Sequence, residues 1–97
     1  MDALLGKTLS SIPIYSDPFG LPSGAIDICE KGLAVRGKES LKIPLGYARG
    51  LRILRRLQLG KVEAQLVAFD VLGDRHVLEF VLSEQHFFEL EKACDRK

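Results

Sequence analysis

At 97 residues the chain is one domain at most, long enough for a single modest core. Hydrophobic residues make up 46%, which excludes a disordered chain, and 14 Lys plus Arg against 13 Asp plus Glu leave a net charge of +1 that favours no particular partner. No apolar run approaches the ~18 residues of a membrane span, and Met1–Lys7 lacks the basic start and long apolar stretch of an export signal, so a cytoplasmic location is expected.

Residues 1–23 are punctuated by Pro13, Pro18, Gly20 and Pro22. Proline removes a backbone donor and disfavours helix at the residue before it. An irregular lead-in is expected here, with a short strand at Ile12–Tyr15. The main body is expected at 24–97. From Gly24 the apolar period is two. Ile26 and Ile28 face one way and Asp27 the other; after a turn at Lys31-Gly32, Leu33 and Val35 repeat the pattern. After a further turn at Gly37–Ser40, Leu41, Ile43 and Leu45 repeat it again. Such spacing predicts antiparallel strands of a small sandwich or barrel.

Gly46–Gly60 reads two ways. Leu51, Ile53, Leu57 and Leu59 alternate as in a strand, and Leu51, Leu54 and Leu57 also mark helical turns. Glycines at 46, 50 and 60 argue against a long helix, which favours a strand with a bend near Arg55-Arg56. In Lys61–Leu72 the apolar role passes from Val62, Ala64, Leu66 and Ala68 to Val67, Phe69 and Val71, which predicts a bulge near Ala68. Leu72-Gly73-Asp74-Arg75 predicts a tight Gly-Asp hairpin, with His76–Leu82 as the returning strand. A helix is expected over 83–95. Ser83 is placed to cap it, Glu84 to meet its positive end, and Leu82 to pack against Phe87. Phe87, Leu90 and Cys94 share its inward face, with Glu89, Lys92 and Asp95–Lys97 on the solvated side.

This order of elements, together with Asp27-Ile28-Cys29-Glu30-Lys31-Gly32-Leu33-Ala34-Val35, resembles the PilZ family over roughly residues 7–94. The resemblance implies a mainly β fold: a small antiparallel PilZ-like β-barrel with a C-terminal capping α-helix. It further implies a bacterial signalling domain whose ligand is cyclic di-GMP. The family's motif Asp/Asn-x-Ser-x-x-Gly falls on Asp27, Cys29 and Gly32. A carboxylate accepts from a guanine edge, and a glycine lets a ligand approach the backbone. The departures are substantial. Where the family has Arg-x-x-x-Arg, whose planar forks hold phosphate and stack on guanine, this chain has Lys7-Thr8-Leu9-Ser10-Ser11. Lys7 supplies a point charge but no fork, and a thiol stands where the family has a hydroxyl. Cyclic di-GMP is therefore expected to bind weakly or not at all; if it binds, Lys7, Asp27, Cys29 and Gly32 are the candidate residues. The expected role is that of an adaptor acting by protein–protein contact. The alternatives are a functional cyclic di-GMP receptor and a pleckstrin-homology-like binding module.

Between Glu39 and Glu63 there is no acidic residue, while Lys42, Arg49, Arg52, Arg55, Arg56 and Lys61 all lie there. Arg49, Arg52, Arg55 and Arg56 are the candidate partner surface. The other reading is a solvated strand face whose long stems cover apolar area. Stacking aromatics are scarce here, so nucleic acid is not expected. The partner is a foreign protein or a second copy of the chain. Cys29 and Cys94 match no metal spacing and are expected as reduced, buried thiols. His76 and His86 stand in no evident nucleophile setting, so neither catalysis nor a cofactor is expected.

Overall fold

The computed structural model describes residues 4–17, 19–37 and 40–95. Seven strands, β1 (Thr8–Tyr15), β2 (Pro22–Cys29), β3 (Gly32–Arg36), β4 (Leu41–Pro44), β5 (Ala48–Arg56), β6 (Lys61–Phe69) and β7 (Arg75–Ser83), are followed by one helix, α1 (Glu84–Cys94). The strands form a single antiparallel sheet in the order β4-β3-β2-β1-β7-β6-β5. The sheet is open, with β4 and β5 as its edges. It consists of two meanders, β1–β4 and β5–β7, joined where Tyr15 pairs with Val81.

One core serves both meanders. The alternating residues Ile12, Ile26, Ile28, Leu33, Val35 and Ile43 of the first pack with Val62, Ala64, Leu66, Phe80 and Leu82 of the second. α1 closes over β5, β6 and β7 and buries Phe87, Leu90 and Ala93. Ser83 caps it as the sequence predicts, its hydroxyl accepting from the His86 N–H at 3.3 Å. The inward face differs slightly from expectation: Ala93 is buried, and Cys94 is half-buried against the core. Of the expected solvated side, Arg96 and Lys97 lie outside the described residues.

Several local expectations are corrected. Among the described residues of 1–23, the strand expected at Ile12–Tyr15 is longer: β1 starts at Thr8 and pairs along β2, and β2 starts at Pro22 rather than after Gly24. Pro13 is accommodated because β7 meets β1 only at Tyr15, so the strand has one neighbour there instead of two. The first turn is Glu30-Lys31, and Gly32 already belongs to β3. The turn expected at Gly37–Ser40 includes Lys38 and Glu39, which lie outside the described residues, as does Pro18. β6 keeps one phase throughout and pairs with β7 without a break. The irregularities lie opposite it on β5, between Ala48 and Gly50 and between Ile53 and Arg55. The tight Gly-Asp hairpin is instead a five-residue loop, Asp70–Asp74. Its first residue organises it: Asp70 Oδ1 accepts from the N–H groups of Leu72 and Asp74 at 2.9 and 3.0 Å.

Candidate functional site

Three of the four candidate ligand residues, Lys7, Cys29 and Gly32, meet at the β2–β3 turn, and the turn is sealed. The Leu5–Lys7 segment lies across it, with Lys31 N–H donating to Leu5 O at 2.8 Å and Glu30 N–H to Lys7 O at 2.9 Å. The Lys7 N–H in turn donates to Glu30 Oε1 at 2.7 Å, while the Lys7 side chain is exposed. Cys29 is 2% exposed, with Thr8 Oγ1 at 3.8 Å from its sulfur. Gly32 has φ +151°, and a Cβ added to it would stand 2.2 Å from Ile43 O and 2.9 Å from Leu5 Cδ2. The glycine is thus required by close approach of the chain itself. The recess beside it measures about 10 Å³, no larger than a single water.

Asp27 points to the outer face of the sheet, away from this turn. It accepts from Ser11 Oγ at 2.7 Å and from Arg36, Nε to Oδ2 at 2.9 Å and Nη2 to Oδ1 at 3.0 Å. Both carboxylate oxygens of this candidate residue are therefore engaged by Arg36.

The basic stretch is likewise not uncompensated. β5 carries Arg55 opposite Glu63 on β6, with Nε to Oε1 at 3.1 Å. Arg56 pairs with Glu84 at the start of α1, and Arg52 Nε donates to Gln65 at 3.2 Å. Arg49 is exposed where the β5 register shifts. The acids come from across the sheet and from the helix, so they are invisible in a reading along the chain. β5 is a long edge strand, and charged, irregular edges resist pairing with other chains.

A further concave feature lies elsewhere, at the junction of the two meanders. A cleft of about 580 Å³ opens between the end of β1 and β7, within the size range of ligand sites. Its floor is apolar, from Ile14, Val35 and Leu41 on one side and Leu78 and Phe80 on the other. Arg36, Glu63 and Glu79 supply the charges on its walls. It exists because β1 ends at Tyr15, where the chain turns away, while the whole of β7, including Arg75–Phe80 beyond that point, stays paired with β6. Sequence reading missed it. The signal present was the contrast between a first strand that carries Pro13 and is followed by Gly20 and Pro22, and an uninterrupted last one.

Among the described residues there is no group of three or more His, Cys, Asp and Glu placed to hold a metal ion, and no helix long and apolar enough to cross a membrane. Cys29 and Cys94 are both thiols. The His76 Nε2–H donates to Asp70 Oδ2 at 2.8 Å, and Nδ1 of His86 is buried with no hydrogen-bond partner. The hydrogen bond from His76, supported by the N–H groups of Asp74 and Leu72 against a smaller cost of burial, lowers the Asp70 pKa from the ordinary carboxylate value. No family model, curated protein or solved structure matches the chain.

Proposed function

We propose that the chain is a PilZ-like bacterial signalling adaptor that acts by protein contact and takes cyclic di-GMP weakly or not at all. The observation that carries this reading is the state of Asp27, the one charged residue of the motif that the sequence retains. Its two oxygens are held by the Arg36 fork and one also by Ser11, so reading a guanine edge requires breaking a bidentate pair first. Two further features support it. Gly32 is covered by Ile43 and Leu5, and no arginine precedes Arg36 to grip phosphate. The barrel that the resemblance implies corresponds, in this reading, to two meanders wrapped around a shared core and capped by α1. Isothermal titration of the unaltered protein with cyclic di-GMP tests the proposal. The expected result is no saturable heat at micromolar protein; sub-micromolar binding establishes a receptor instead.

A further inference from the structure

β7 is paired along one edge and almost unpaired along the other. β7 pairs with β6 over its whole length, from Ser83 opposite Lys61 to Arg75 opposite Phe69. On its other side it pairs with β1 only through Val81 and Tyr15. From Arg75 to Phe80, about 20 Å at 3.3 Å per residue, the backbone groups facing the cleft have no strand partner among the described residues. Four of these six, Val77 to Phe80, line the cleft itself. An unpaired strand edge is a template for another extended chain, since every main-chain donor and acceptor placed there calls for a partner.

We infer that this edge takes an extended basic-amphipathic segment of a partner protein, added as one more strand beside β7 where β1 turns away. The inference rests on the adaptor reading and names its surface. Side chains of the added strand alternate between two environments. Those opposite Leu78 and Phe80 point inward onto Ile14, Val35 and Leu41, so they are apolar. The one opposite Glu79 points outward. Of the charged residues lining the cleft, Arg36 is neutralised by Asp27 and Glu63 by Arg55. Among the described residues, Glu79 has only a 3.5 Å contact from Gln65 Nε2. Among the described residues the wall thus presents one carboxylate with no ion pair, and its complement is a lysine or arginine between two apolar residues.

The test uses the whole chain, labelled with ¹⁵N, and two short synthetic peptides, one alternating valine with lysine and one alternating valine with glutamate. The valine–lysine peptide is expected to shift the amides of Arg75–Phe80 and to slow their hydrogen exchange, and to bind more tightly than the valine–glutamate peptide. Glu79→Lys, at an exposed position, is expected to weaken the valine–lysine peptide roughly three- to fivefold and to reverse the preference. No response of these amides at millimolar peptide overturns the inference, as does an unchanged preference in Glu79→Lys. Shifts confined to Arg52 and Arg55 on β5 also overturn it while leaving the adaptor reading standing. Protection of the β7 edge in the free protein that disappears on dilution identifies a second copy as the occupant, and overturns it too.

Discussion

Arg36 grips Asp27 across neighbouring strands with a two-pronged ion pair, Nε to Oδ2 at 2.9 Å and Nη2 to Oδ1 at 3.0 Å. The acid is mostly covered, its side chain 16% exposed, whereas the arginine is 60% exposed. Bidentate geometry favours the pair, and solvent around the guanidinium screens it. A double-mutant cycle with Arg36→Ala and Asp27→Ala, read by urea unfolding, is expected to give a coupling of about 0.5–1 kcal/mol. The coupling should shrink in high salt. A coupling indistinguishable from zero would show that the carboxylate is not held by its partner and is open to a ligand.

Gly32 and Gly46 separate two reasons for needing glycine. Both have positive φ, +151° and +84°, but a Cβ on Gly32 meets Ile43 O at 2.2 Å, whereas one on Gly46 meets nothing within 4 Å. Gly46→Ala therefore carries only the conformational cost, about 1 kcal/mol. Gly32→Ala must also push apart the backbones of β3 and β4, and is expected to lose about 3 kcal/mol. Thermal or urea unfolding of both variants checks the order. Equal losses would mean that the turn opens easily, as a ligand-gripping turn must.

The contrast between these sites shows what the chain reveals when read linearly. Period-two alternation at Ile26–Ile28, Leu33–Val35 and Leu41–Ile43 marks β2, β3 and β4, because one face of each is buried in a single core. Ser83 marks the helix start because capping is a local interaction. Thr8–Ser11 is different: it pairs with β2 while Thr8 and Ser11 face solvent, so it lacks the apolar pattern that identifies strands. The partners of Arg36, Arg55 and Arg56 depend on strand register and helix docking. Arg55 faces Glu63 only because the β5 register shifts between Ile53 and Arg55. The cleft was hidden for the same reason. It is set by where two strands part, and the sequence pattern records where each strand lies but not which neighbour it leaves.

Asp70 gives the fold an acid-sensitive loop. Its pKa is lowered in the folded protein, chiefly by the hydrogen bond from His76 and then by the Asp74 and Leu72 N–H groups. A carboxylate depressed by folding contributes stability above its unfolded pKa, and that contribution disappears as pH falls through the folded value. Asp70→Asn keeps an oxygen for the loop N–H groups while removing the charge. The melting temperature of Asp70→Asn is therefore expected to lie below that of the parent by a clear margin at about pH 5. The margin should close as pH falls below about 4. A margin unchanged down to pH ~2 would assign the loop's order to hydrogen bonding alone.

The β5–β6 hairpin carries a removable strain. Lys61 N–H donates to Gln58 O at 3.3 Å across a two-residue turn whose members, Leu59 and Gly60, have φ of 62° and 70°. Two successive positive φ values are what a type I′ turn requires, and Asn-Gly is the sequence that adopts them most readily. Leucine at the first position brings its Cβ close to the following carbonyl and gains little in return, being 67% exposed. Leu59→Asn is expected to raise stability by about 1 kcal/mol, with an unchanged core and a higher urea midpoint. Leu59→Ala, which keeps the Cβ, should leave the backbone strain in place. If Leu59→Asn and Leu59→Ala melt together, the turn is not held at positive φ in solution. The register that sets Arg55 opposite Glu63 would then have to be fixed by the strands themselves.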